Sequence, residues 1–103
     1  MGQPKTDYNP GNYNRDSFAN IMQFIFADLM IREDREGADG YWRTHEEVVK
    51  IRKRIEALYA KRSDVLIQRI AEAVLLWMRD GATVQAVLNA PDKHLVKLAK
   101  RLA

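Results

Sequence analysis

The sequence contains no cysteine and only two histidines among its 103 residues. Without cysteine, the chain can form neither a disulfide framework nor a thiolate nucleophile, and a cysteine-ligated metal site is excluded as well. Two histidines without cysteine also fall short of the ligand sets that usually hold zinc. We therefore predict that the protein binds no metal and needs no cofactor.

Long hydrophobic runs are also missing. The longest apolar runs are residues 24–27 and 73–78, far below the roughly 20 residues that cross a bilayer. The N-terminal residues Met1 to Asp7 lack the apolar segment of a secretion signal. The expectation is a cytoplasmic protein without a membrane partner.

The sequence matches only part of each catalytic motif that it resembles. His45 and Glu46 open like the zinc-protease signature, but Val49 occupies the position of its second histidine. Gly37 and Gly40 lack the lysine and the spacing of a phosphate-binding loop. The acidic residues are dispersed, so no paired-carboxylate site is predicted. We predict that the protein is not an enzyme.

Glycine and proline are scarce, and neither occurs between Thr44 and Gly81. Thr44, with a glutamate three residues later, is typical of a helix start, and Gly81 can end a helix in the left-handed conformation. Apolar residues keep one helical phase throughout, which favours a single long central helix, 44–80, with its densely apolar second half as the buried centre of the fold. The alternative is two helices with a bend near Ser63, where Ser63 or Asp64 caps the second.

The charged, glycine-bearing segment 32–40 predicts a loop before this helix. Tyr41 and Trp42 would then precede the helix and pack back onto Val48 or Val49 as a hydrophobic staple. Stacking of Trp42 on a nucleic-acid base is the alternative function for that side chain.

Three further helices are predicted around this one. Apolar residues at helical spacing indicate a helix over 17–31, Thr83 can cap a short helix, and Pro91 can begin a final one. The fold class is therefore all-α, a compact helical bundle of four to five helices. It forms a single helical domain, residues 15–103, behind an irregular N-terminal arm, residues 1–14.

Two aromatic residues of the arm, Tyr8 and Tyr13, are predicted to pin it onto the helical domain, with base stacking as the alternative. On the first helix, Phe24 and Ile31 lie off the main apolar stripe and share a second side. These two residues are candidates for a partner interface, in a homo-oligomer or in a larger nucleoprotein assembly.

The charges are unevenly distributed along the chain. Residues 1–40 carry four cations and seven acids, whereas residues 41–103 carry thirteen cations and seven acids. A basic second half suits a polyanion or an acidic partner, and a solvated basic surface is the alternative. The residues predicted to contact a nucleic acid are Lys50, Lys53, Arg54, Lys61, Lys93, His94, Lys97, Lys100 and Arg101.

The segment 83–102 has the apolar spacing of a helix-turn-helix. Asn89 occupies the turn position that usually needs a left-handed conformation. The match is incomplete because Gln85 stands where the motif usually has a small residue. Two short helices joined by a tight turn are also common in ordinary helix packing.

Two classes of function remain. The first is a non-enzymatic nucleic-acid-binding protein that contacts the phosphate backbone of DNA or RNA through basic helix faces at 50–62 and 93–101, alone or as a small subunit of a nucleoprotein complex. The alternative is a protein–protein adaptor or inhibitor that acts through the helix 17–31 and its charged faces.

Overall fold

The computed structural model describes residues 15–102, with side chains from residue 17 onward, so the predicted arm 1–14 with Tyr8 and Tyr13 lies outside the described residues. Within that range the chain forms helices and no strand, which confirms the predicted all-α bundle. In chain order the helices are α1 Arg15–Arg32, α2 Gly37–Lys61, α3 Ile67–Arg79, α4 Val84–Asn89 and α5 Asp92–Lys100. None of these helices is both long and apolar enough to cross a membrane.

Helix α3 lies at the centre of the bundle because apolar side chains surround most of its circumference. It packs against α1, α2 and α5, and burial of each large aliphatic side chain stabilises the fold by about 1.5–3 kcal/mol. The α3 residues in the core are Ile70, Ala71, Ala73, Val74, Leu75 and Met78. The predicted central position of the densely apolar segment is therefore confirmed.

The prediction of one continuous helix over 44–80 is wrong, and the two-helix alternative is the observed structure. Helix α2 ends at Lys61 and α3 begins at Ile67. A helix over all of 44–80 would extend about 55 Å, more than the 39 Å longest dimension of the structure. The break between the helices instead lets the apolar half pack against its neighbours, and Val65 in the connection is itself buried.

The predicted side-chain caps at this bend are not used. The residue before α3 is Leu66, and no side chain caps the helix there. Asp64 instead accepts hydrogen bonds from Arg62, at 3.3 Å from Nε and 3.4 Å from Nη2. The bend therefore forms because its apolar flanks are buried rather than because Ser63 or Asp64 caps α3.

The predicted start of α2 at Thr44 is also wrong, since the helix already begins at Gly37. Thr44 is fully buried inside the helix, and its hydroxyl donates to the carbonyl of Gly40 at 2.8 Å. Glu47 binds the guanidinium of Arg35 instead of the Thr44 amide. A long-range ion pair therefore replaces the predicted local cap, and the predicted loop 32–40 shortens to the residues between α1 and α2.

The earlier start changes the role of two aromatic side chains. Tyr41 and Trp42 lie within the first turns of α2, where they are 46% and 59% exposed. They cannot form the predicted staple onto Val48 or Val49, because a staple requires a residue that precedes the helix.

The end of α3 and the start of α4 agree with the prediction. Gly81 has a φ of 114°, a conformation that favours glycine. The hydroxyl of Thr83 accepts the amide of Ala86 at 3.0 Å and caps α4. In addition, Arg32 donates from Nη1 to the carbonyls of Met78 and Ala82, at 2.9 and 2.8 Å, which fixes the end of α1 to the end of α3.

The structure contains the two helices of the predicted helix-turn-helix but neither its turn nor its packing. Asn89 lies in the last turn of α4 and has no positive φ, and the extended residues Ala90 and Pro91 make the connection. Helix α4 packs mainly against α2, whereas α5 packs mainly against α3. In the motif, by contrast, the helices on either side of the turn pack against each other. The predicted left-handed turn at Asn89 is wrong because Asn89 is still helical, and the chain leaves the helix through extended backbone at Ala90, which the following proline favours.

Candidate nucleic-acid interface

The carboxyl end of α2 lies beside the first turn of α5, and a charged contact holds the two together. Arg54 donates from Nη2 to the carbonyl of Ala90 and to Oδ1 of Asp92, both at 2.7 Å. The ammonium of Lys61 lies 3.6 Å from Oδ2 of Asp92. The two basic stretches that the sequence separates therefore lie on adjoining helices.

The far end of α5 also approaches the chain that follows α2. The hydrogen bond from Arg62 holds the pKa of Asp64 below its ordinary value, and the charge of Lys100 acts in the same direction. Lys93 and Lys100 are two helical turns apart, so both lie on the same side of α5.

Most predicted phosphate-contacting side chains are free to meet a ligand. Lys61 is 69% exposed despite its contact with Asp92. Six more of the predicted cations are exposed and make no ion pair or hydrogen bond within the described residues. Together these seven side chains form what we call the basic surface: Lys50, Lys53, Lys61, Lys93, Lys97, Lys100 and Arg101.

Two of the predicted contacts also have partners within the protein. The guanidinium of Arg54 is held by Ala90 and Asp92, and only 18% of its side chain is exposed. Its hydrogen bond lowers the pKa of Asp92. His94 packs edge-on against Trp77 of α3, with 5.0 Å between the ring centroids. We therefore leave Arg54 and His94 out of the basic surface.

One cation outside the predicted set, Arg43, lies next to the basic surface. Because α2 begins at Gly37, Arg43 precedes Lys50 by two helical turns and lies on the same side of the helix. Both side chains line a cleft of about 310 Å³ between α2 and α4, together with Gln85. Their seven-residue spacing would have revealed this neighbour if the helix had been predicted to start earlier.

Arg35 also lines this cleft, but its charge is used within the fold. Its guanidinium binds Glu47 through both terminal nitrogens and donates to the Thr44 hydroxyl at 3.0 Å. The hydrogen bond to Glu47 raises the pKa of Arg35, against the opposing effect of burial. This cluster fixes the connection after α1 to α2, and no local sequence pattern indicates it.

A second concave feature lies between α1 and α2. It is on the flank of α2 opposite to the cleft that Arg43 and Lys50 line. This aromatic groove has a volume of about 580 Å³. Tyr41 contacts Phe26 with 5.1 Å between the ring centroids, and Trp42 meets Tyr41 edge-on at 5.0 Å. The side chains that define the aromatic groove are Phe18, Met22, Phe26, Tyr41, His45 and Val48.

The two predicted interface residues of α1 differ in exposure. Phe24 is half-buried, and the guanidinium of Arg79 lies 5.5 Å from its ring centroid. Arg79 is held there by Asp28, with 2.8 Å between Nε and Oδ2. Ile31 is 80% exposed and borders a groove of about 250 Å³. Of the pair, Ile31 is thus the more accessible side chain.

The described residues contain no group of three or more histidine, aspartate or glutamate side chains that could hold a metal ion. No protein-family model matches the chain, and neither curated proteins nor solved structures give a significant match.

Proposed function

We infer that the protein is a non-enzymatic, cytoplasmic nucleic-acid-binding protein that contacts the phosphate backbone through the basic surface. One observation carries this inference: six exposed cations without an ion pair in the described part of the chain, together with the mostly exposed Lys61, gather on two adjoining helices. Arginines elsewhere in the described chain, such as Arg32, Arg35 and Arg79, donate to carbonyls or carboxylates of the protein. Lysines predominate in the basic surface, and a lysine ammonium meets phosphate as a point charge rather than as a planar fork.

The arrangement suits binding that follows the backbone and does not read bases. Along α2, Lys50 and Lys61 are about 16 Å apart in helical rise, and α5 is about 13 Å long. No helix of the basic surface belongs to a motif that would place side chains at base edges in a groove. We therefore expect similar affinity for sequences of equal length and type.

The magnitude of the expected salt effect follows from the number of cations. Each phosphate neutralised on duplex DNA contributes a slope of about −0.9 to the logarithm of affinity against the logarithm of salt concentration. If about five of the seven side chains engage, affinity falls by several hundred-fold between 50 and 200 mM salt, by the same relation.

The test is fluorescence anisotropy with labelled duplex DNA, single-stranded DNA and RNA across a salt series. Micromolar or tighter binding that weakens steeply with salt supports the proposal, and comparison of the three probes identifies the preferred nucleic acid. Absence of binding to all three probes at low salt would overturn it.

A protein–protein adaptor is the second candidate, and the exposure of Ile31 beside an apolar groove favours it. Ile31→Asp should abolish a homo-oligomer or a partner complex that uses this face. Sedimentation of the wild type and the variant at micromolar concentration measures this. Identical monomeric behaviour of the two proteins counts against a homo-oligomer through α1.

A further inference from the structure

The aromatic groove leaves apolar surface open to solvent on one side of the bundle. Its floor is formed by Met22, which is 7% exposed, and its walls include Phe18, Phe26 and Tyr41. An apolar concavity of about 580 Å³ is large enough to accept several side chains. Such a surface on a small protein is typical of a binding site.

The lining of the groove favours an uncharged polypeptide segment as its occupant. It is mostly apolar and includes one cation, Arg52, and no acid. A phosphate backbone is usually held by several cations, so an apolar segment without net charge fits this groove better.

The chain outside the described residues arrives at one end of this groove. Residue 14 adjoins Arg15, the first residue of α1, and Phe18 at the groove's end lies about one turn later. From Phe18 to Phe26 the groove follows α1 for about 12 Å. Fourteen residues extend up to about 46 Å, so a segment that reverses at its junction with α1 can follow the whole groove.

The composition of residues 1–14 matches the groove. The charges of Lys5 and Asp7 balance, so this segment brings no net side-chain charge into the groove. Tyr8, Pro10 and Tyr13 provide the aromatic and proline side chains that aromatic-lined grooves accept in extended peptides. Glycine and asparagine between Pro10 and α1 are suited to a reversal of the chain.

We propose that residues 1–14 fold back along α1 and occupy the aromatic groove of the same molecule. Tyr13, two residues before α1, packs at the entrance beside Phe18. Tyr8, five residues earlier, reaches about 16 Å further and packs against Phe26 and Tyr41 at the far end. The arm then covers the apolar face and leaves the basic surface, on the other flank of α2, open.

The test is nuclear Overhauser spectroscopy on the full chain with isotope-labelled tyrosine, phenylalanine, methionine and valine. Contacts between the Tyr8 ring and the methyl groups of Met22 or Val48 are expected. The contact between Tyr41 and Phe26 in the structure serves as the internal positive control. Absence of any Tyr8 contact to the groove, with the control contact present, overturns the proposal.

A mixed sample identifies which molecule supplies the arm. Protein labelled only on tyrosine is mixed with protein labelled only on methionine and valine. Contacts that are lost in this mixture lie within one chain, as proposed, whereas contacts that persist show the arm of a second copy and overturn the proposal.

A pair of variants gives an independent measurement. Tyr8→Ser should shift the Met22 methyl resonance, whereas Tyr59→Ser, at a partly exposed tyrosine of α2 outside the groove, should not. Equal Met22 resonances in the wild type and in Tyr8→Ser would contradict an occupied groove.

Discussion

The amino and carboxyl halves of α2 belong to one helix and use their polar side chains in different ways. In the amino half, Thr44 and Glu47 turn inward to bind Arg35, and the outer face is aromatic. In the carboxyl half, Lys50 and Lys53 have no partner within the described residues and point to solvent. The number of charges is therefore a poor guide to a binding surface, because only unpaired charges are available to a ligand.

The largest expected effect comes from the inward-facing pair of the amino half. Glu47→Ala leaves the guanidinium of Arg35, whose side chain is 9% exposed, without its carboxylate. We expect a loss of about 2 kcal/mol in the free energy of unfolding, below the range for fully buried pairs because Glu47 is partly exposed. Urea denaturation measures the loss.

The neighbouring residue is the matched control for this variant. Glu46 is exposed and makes no ion pair in the described structure, so Glu46→Ala should change stability by less than about 0.5 kcal/mol. Equal losses in both variants would show that the Arg35 cluster does not support the fold.

The next largest effect is on nucleic-acid binding. Two charge-reversal variants compare the basic surface with the aromatic groove. Lys97→Glu places a negative charge in the basic surface and should weaken nucleic-acid binding about tenfold, with a smaller salt slope. Arg52→Glu makes the same charge change beside the aromatic groove and should weaken binding much less. Similar losses in the two variants would indicate diffuse attraction to the whole protein.

Arg54 and Lys53 sharpen the comparison because they are adjacent in sequence and differ in role. Arg54→Gln removes the donor to Ala90 and Asp92 and should cost about 1 kcal/mol of stability. Lys53→Gln should leave stability unchanged and weaken binding more than Arg54→Gln does. Thermal unfolding and anisotropy on both variants measure the two effects, and the reverse pattern would refute the assignment.

The smallest effect is a dependence of stability on pH. Because Arg54 lowers the pKa of Asp92 in the folded state, the contact stabilises the fold above the unfolded pKa of about 3.9 and is lost as the pH falls through the folded value. Asp92→Asn should therefore have a lower melting temperature than the wild type at pH 7, with a smaller difference below about pH 4. A difference that is independent of pH would contradict this origin.

Much of the fold was predictable because its signals are local. The apolar spacing of α1, the Thr83 cap and the glycine that ends α3 all act within a few residues. The start of α2 was not predictable, because the long-range contact with Arg35 outcompetes the local cap at Thr44. The sequence could not decide between a continuous helix and the bend after Lys61, since the apolar phase continues across it.

The candidate site was predictable in composition and less so in geometry. The sequence indicates that 50–62 and 93–101 are basic, but it cannot show that Asp92 joins them. It also cannot separate Arg54 and His94, which contact the protein, from cations of the same helices that remain free. That distinction depends on which helices become neighbours.

The most direct measurement of the central claim is a titration of isotope-labelled protein with duplex DNA at low salt, followed by amide chemical shifts. The account predicts the largest shifts at 50–61 and 92–101, with little change at 38–48 or along α1. Shifts centred on the aromatic groove, or spread evenly over the five helices, would contradict it.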